Sequence, residues 1–222
     1  MLTRSGLRDV VILLSLGSAC LFHASVTAIV VSLVLLEAGC LVHVVSKGVL
    51  IRNEVLCKDG IYSIVRHPYY LANYLIDTSF CVASGNPYLV LLYPFLFFWS
   101  YGPTFRQEEA TLAGRHGEAA LAHLLGTPGV FPDRHSIFRI GHLFEGFSGS
   151  RLSAKEVGRN IRFHAMWLLI LTFNLARWDD VKAIGRGGRP YVPAACVLAV
   201  LVLYAASVLI IRKGRARHAG KG

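Results

Sequence analysis

Residues 10–45 form one nearly unbroken apolar stretch, interrupted chiefly by His23, Ser25, Thr27, Ser32, Glu37 and His43. A membrane span takes about 20 residues, so this stretch is too long for one upright helix and just long enough for two short ones. The polar group His23-Ala24-Ser25 lies at its middle, and the expectation is a hairpin turning there. A single tilted helix is the alternative, because neither Gly nor Pro marks the turn. Composition supports a membrane-embedded class: 54% of residues are hydrophobic, 16% are charged, and mean hydropathy is +0.51. The expected fold is all-α, a polytopic transmembrane helix bundle of about five or six spans.

The rest of the chain carries the same signature. Residues 68–84 read as a span, Gly85-Asn86-Pro87 as its turn, and residues 88–101 as the return, with Gly102-Pro103 loosening the exit. Residues 108–125 read as a cytoplasmic helix and residues 136–147 as an interfacial one, with Ile137, Ile140, Phe144 and Phe147 on one face, or alternatively as a plain packed loop. Residues 151–162 are basic, 163–176 are a short apolar run, 191–211 are a full-length one, and a basic tail follows. The chain divides into an N-terminal hairpin (1–50), a core (51–133) and a C-terminal part (134–222) comprising the interfacial segment, a hairpin and the tail.

Lys and Arg number 23 against 13 Asp and Glu, a formal charge of +10. In a membrane protein this excess marks cytoplasmic loops and attracts anionic head groups. With six spans, both termini and residues 51–68 and 102–133 face the cytoplasm, although Arg177, Lys182, Arg186 and Arg189 then fall outside. No basic, aromatic-interleaved soluble domain points to nucleic acid. The five cysteines have no CxxC pairing and imply neither a zinc site nor a disulfide framework. No metal is expected; His23 and His43 lack partners at ligand spacing. Arg4 and Arg8 before an apolar run mimic a signal peptide, but the run continues to Val45, so an uncleaved anchor is expected.

Chemistry concentrates in Gly60-Ile61-Tyr62-Ser63-Ile64-Val65-Arg66-His67-Pro68-Tyr69-Tyr70. Pro68 keeps His67 out of the helical region and suits the first turn of the next helix. One apolar hairpin later comes Arg106-Gln107-Glu108-Glu109. A hairpin returns the chain to its starting side, so the two clusters are expected to meet. Arg66 and His67 are donors for a carboxylate or phosphate. Glu108 and Glu109 are acceptors for an ammonium or a ribose diol, and Tyr62, Tyr69 and Tyr70 pack against a flat ring or a cation. S-adenosyl-L-methionine has all of these groups, and nucleotides have most of them. The plainer readings are an interfacial anchor for Arg66 and His67, a charge pair complementing a helix dipole for Glu108 and Glu109, and an aromatic belt for Tyr69, Tyr70 and Trp99.

The pattern Gly60-x-Tyr62-x-x-x-Arg66-His67-Pro68-x-Tyr70, followed by Glu108-Glu109-x-x-Leu112, Gly117-Glu118, Pro128 and Pro132, resembles the isoprenylcysteine carboxyl methyltransferase and phospholipid methyltransferase superfamily of integral membrane enzymes. The resemblance covers roughly residues 50–132. It implies a cytoplasm-facing S-adenosyl-L-methionine pocket held by Tyr62, Arg66, His67, Tyr70, Glu108 and Glu109, and a lipid or isoprenoid acceptor arriving from the bilayer. It implies acid–base or acceptor-positioning roles for His67, Glu109 and Arg106. The chain departs from the family at Ala120 and His123, where tyrosines are common, and at Thr104, where a basic residue is common; Arg106 is the expected substitute. The departure at Thr104 ranks a lipid acceptor above a protein prenylcysteine. A non-catalytic membrane scaffold of the same fold is the reading outside the enzyme class.

Overall fold

The computed structural model describes residues 4–50, 56–176 and 198–210. The described residues are all-α: helix makes up 82% of them, and no strand occurs among them. The helices are α1 (Arg4–Leu21), α2 (Val26–Val49), the single turn α3 (Ile61–Ile64), α4 (Pro68–Ala83), α5 (Pro87–His116), α6 (Glu118–Gly126), the single turn α7 (Arg134–Ile137), α8 (Ala154–Leu175) and α9 (Leu198–Ile210). One described helix, α2, is both long and apolar enough to cross a bilayer, with a mean hydropathy of 2.4 over its most apolar window.

The apolar stretch breaks at residues 22–25. Ser25 stops α1 from running into α2 by accepting the Ala28 N–H at 3.1 Å as an N-cap. The α4–α5 turn is built the same way: the Asn86 side chain accepts the Tyr88 N–H at 3.0 Å, and Pro87 occupies the first helical position. Gly85 in this turn has φ +74°, and a Cβ there would stand 2.5 Å from the His23 carbonyl carbon, so the two hairpin turns touch. Asn174 at the end of α8 joins them. It accepts the Ala24 N–H at 3.1 Å and donates to the carbonyls of Phe22 and Ser84, each at 3.1 Å. Both hairpins therefore turn at one end of the bundle, and the start of α1, the end of α2, the start of α4 and the start of α8 lie at the other.

Helix α4 is the central element and packs against α1, α2, α5 and α8. Small residues let α2 and α4 approach closely: a Cβ on Gly39 would lie 2.6 Å from Ile76 Cγ1 and 3.0 Å from the Ala72 carbonyl oxygen. The core holds Leu7, Val11, Leu36, Ile76, Phe80, Tyr93, Phe97, Tyr101 and Ile170. A polar knot is buried within it. Arg8 Nε donates to Asp77 Oδ1 at 2.6 Å, Arg8 Nη2 donates to Asn73 Oδ1 at 2.8 Å, and Tyr93 OH donates to Asp77 Oδ2 at 3.1 Å. The Arg8 guanidinium also lies 4.7 Å from the centre of the Phe163 ring. This knot ties α1, α4, α5 and α8 together.

Three expectations are corrected. The return segment and the helix over residues 108–125 are not separate: α5 runs unbroken from Pro87 through Pro94 and Pro103 to His116. Each proline removes one amide donor, but Tyr101 and Phe105 flank Pro103 and pack their rings on Tyr70 of α4, at 5.3 and 4.7 Å, and the helix continues past it. The break comes at Gly117, and α6 follows. The basic segment 151–162 and the apolar run after it are likewise one helix, α8, begun by a capping box between Ser153 and Glu156. Residues 136–147 follow the loop alternative and not the interfacial helix: the turn α7 is followed by a 3₁₀ turn and further turns, with Gly146 at φ +70°; Ile137, Phe138 and Ile140 are exposed. The loop 177–190, the start of the last apolar run at 191–197, its final residue 211 and the basic tail lie outside the described residues.

Candidate active site

The elbow is built on the backbone first. His67 has φ −120° and ψ 62°, as the residue before proline must avoid the helical region, and Pro68 opens α4. The Arg66 and His67 amides, left without intrahelical partners, donate to the carbonyls of Pro128 and Gly129 at 2.9 and 3.0 Å. The segment after α6 is thereby strapped along the elbow, and Arg66 Nη1 adds a bond to the Leu124 carbonyl at 2.8 Å.

The α4–α5 hairpin brings the two polar clusters together across about forty residues of chain. Arg66 Nη2 stands 3.2 Å and His67 Nε2 3.1 Å from the same oxygen, Glu109 Oε1. Tyr70 OH donates to Glu108 Oε1 at 2.5 Å, and Glu108 Oε2 stands 3.8 Å from His67 Nδ1. The His67 ring lies nearly parallel to Phe105, with centroids 5.5 Å apart, which fixes its plane. A carboxylate only accepts, so the His67 Nε2 that faces Glu109 at 3.1 Å is the nitrogen that donates to it.

These groups open on a cavity of about 630 Å³, within the usual range of small-molecule sites. Tyr62, Arg66, His67, Tyr70 and Glu108 line it, as do Tyr69 and Leu112. Glu109 does not line it; it sits behind Arg66 and His67 as their common counter-charge. Arg106 is the candidate the structure does not bring in: it is exposed on α5 and does not line the cavity. Two residues before Glu108 on α5, its side chain leaves the helix roughly opposite to Glu108 and closer to the side of Glu109, which does not line the cavity either.

Sequence reasoning missed the lining residues Asn73, Arg115, His116 and Glu156; it noted His123 as a departure from the family pattern and Arg159 as one of a basic cluster favouring anionic lipids, without placing either in the cavity. A signal existed for some. Glu108, Leu112, Arg115 and His116 recur at helical spacing along one face of α5, and Tyr70 and Asn73 do so on α4. Burial, with help from the positive charges of Lys58, Arg66 and His67, lowers the His123 pKa from its ordinary value. Its Nδ1 is 3.2 Å from Thr127 Oγ1. No signal in one sequence joins α8 to this site, because its contribution depends on tertiary packing.

Comparisons with protein-family models, with curated proteins and with solved structures return no match for this chain.

Proposed function

We propose that this chain is a polytopic membrane protein whose helices α1, α2, α4, α5 and α8 cross the bilayer. We propose further that its cavity, facing the cytoplasm, is the site of an S-adenosyl-L-methionine-dependent methyltransferase acting on a lipid or isoprenoid held in the membrane. The observation that carries this reading is the convergence of Arg66, His67, Tyr70 and Glu108 on one cavity, from clusters that only the α4–α5 hairpin joins. The membrane reading is supported by the bundle's apolar outer surface, where Leu13, Val26, Val34, Leu91, Phe95 and Trp99 are all exposed. It is supported too by the two hairpins, which give the parallel and antiparallel crossings of a spanning bundle.

The residues present fit the cofactor. Arg66 and His67 are donors for its carboxylate, and Arg66 Nε is buried without a hydrogen-bond partner among the described residues. Glu108 suits its ammonium or ribose hydroxyls. Tyr62 and Tyr70 offer ring faces to a purine or a cation. When bound, S-adenosyl-L-methionine supplies a methyl carbon whose bond electrons remain on sulfur as the acceptor's lone pair forms the new bond. The protein's own share is positioning: Glu109 locks Arg66 and His67, Phe105 fixes the imidazole plane, and the strap at Pro128 and Gly129 holds the elbow. A carboxylate or phosphate oxygen has no proton to lose. With an amine or thiol acceptor, His67 Nδ1 takes the proton.

The test is methyl transfer from labelled S-adenosyl-L-methionine in membranes with and without the protein. One arm contains the native lipids and another a farnesylcysteine analogue. Label in the lipid fraction, abolished by His67→Ala, is expected. Label confined to the farnesylcysteine analogue would make this a prenylcysteine enzyme. No label in either arm, with no cofactor binding, would leave a scaffold.

A further inference from the structure

Three arginines line the cavity, and they differ in how they are neutralised. Arg66 is paired with Glu109 at 3.2 Å. Arg115 is exposed. Arg159, on α8, is half-buried, and the carboxylate it reaches, Glu156 Oε1, stands at 3.5 Å. That distance is at the long end for a charge-assisted bond. Glu156 is already engaged elsewhere: its other oxygen accepts both the N–H and the hydroxyl of Ser153 in the capping box that starts α8. The other carboxylate lining the cavity, Glu108, accepts from Tyr70 OH at 2.5 Å. Arg159 Nε is buried with no hydrogen-bond partner among the described residues. A guanidinium in this state has donors without acceptors, and burying such a group is costly unless something pairs with it.

The position of Arg159 gives that donor set a meaning. Helix α8 packs on α1, α2 and α4, whereas Glu108 comes from α5, so Arg159 reaches the cavity from a different wall. The same cavity is also lined by the apolar side chains of Leu50, Leu56 and Cys57. An under-paired planar cation in a cavity with apolar lining matches a molecule with a hydrocarbon tail and a carboxylate or phosphate head.

We infer that Arg159 is the receptor for the anionic head of a membrane-borne amphiphile, and that this head-group subsite, not the α5 carboxylates, selects the methyl acceptor. The inference rests on the methyl-transfer reading of the cavity. Glu156 is the internal competitor that occupies Arg159 loosely until the acceptor arrives.

The test uses the full chain in phosphatidylcholine nanodiscs, with empty nanodiscs as blank. The probes are dodecyl phosphate, dodecanoate, dodecanol and inorganic phosphate. Arg159→Gln is expected to weaken whichever anionic dodecyl probe the protein binds by at least tenfold, and to leave dodecanol within twofold. Glu156→Gln keeps the capping side chain and removes the competing charge, so it is expected to tighten the same probe about threefold, a gain that misfolding does not mimic. S-adenosyl-L-methionine affinity is expected to stay within twofold in both variants. Equal affinity of wild type and Arg159→Gln for both anionic probes would overturn the inference. So would an equal loss of dodecanol, or inorganic phosphate binding as tightly as dodecyl phosphate. If the wild type fails to bind S-adenosyl-L-methionine, the methyltransferase reading falls, and the comparison of probes still decides Arg159 by itself.

Discussion

Replacing Arg8 by Met tests the packing account most severely. Asp77 is fully buried; its carboxylate is held by Arg8 at 2.6 Å and by Tyr93 at 3.1 Å. Met keeps the length and apolar bulk of the arginine stem, so the lost packing is small and the lost charge dominates. Asp77 then keeps one neutral donor in an apolar bundle. Breaking a buried pair by removing one partner costs about 3–5 kcal/mol. Asp77→Leu strands Arg8 instead, with only Asn73 and the Phe163 ring beside it, and a similar loss is expected. The double variant Arg8→Met/Asp77→Leu removes both charges. Apolar replacement of a buried pair is often neutral or stabilising, so it should return to within about 2 kcal/mol of wild type. The assay is reversible unfolding in mixed micelles, read by circular dichroism, for all four proteins. A double variant as unstable as the two singles added together would refute the reasoning, as would a cost under about 1 kcal/mol for Arg8→Met alone.

Gly39→Val should cost about 1–3 kcal/mol in the same unfolding assay, because its Cβ would stand 2.6 Å from Ile76 Cγ1 and 3.0 Å from backbone; a neutral result would mean α2 and α4 are not in close contact. His123 has a lowered pKa, so the unfolded chain binds its proton first as pH falls through about 6.5, the ordinary histidine value. Stability is therefore expected to drop as pH falls from there toward the lowered pKa, and His123→Asn should flatten that slope in melting temperatures taken from pH 7.5 to 5; an unchanged slope contradicts the assignment. Single cysteines at Lys58 and Arg106 should be labelled from one side of the membrane and one at Asn86 from the other. Labelling of positions 58 and 86 from the same side would break the α4–α5 hairpin as a crossing.

Local signals in the sequence located the elbow and the second hairpin and favoured the first. The length of residues 10–45 allowed either a hairpin or one tilted helix, and the Ser25 cap in the structure decides for the hairpin. Gly85-Asn86-Pro87 marked the second turn by residue chemistry alone, and the meeting of Arg66 and His67 with Glu108 and Glu109 followed from the hairpin it makes. What stayed hidden depended on distant contacts. Pro103 read as a helix exit, because the rings of Tyr101 and Phe105 that flank it find Tyr70 only in the folded bundle. Arg8 read as part of a signal-peptide-like start; its partner Asp77 is 69 positions away, within residues 68–84 that read only as a span. Arg159 read as one member of a basic cluster, and only the packing of α8 on α1, α2 and α4 turns it toward the cavity. Arg106 shows the converse: proximity in sequence to Glu108 said nothing about which face of the helix it occupies.

The central claim is that the elbow and α5 form a cofactor site. Its most direct test is calorimetric titration of S-adenosyl-L-methionine into the purified full chain, beside Arg66→Ala, His67→Ala and the exposed control Arg106→Ala. Each elbow variant removes hydrogen bonds involving charged groups, worth about 1.5–3 kcal/mol, or roughly 10- to 150-fold in Kd. The account predicts that loss for Arg66→Ala and His67→Ala, with Arg106→Ala within about twofold of wild type, since Arg106 lies off the cavity. No binding by the wild type, or equal affinity in all four proteins, would contradict it.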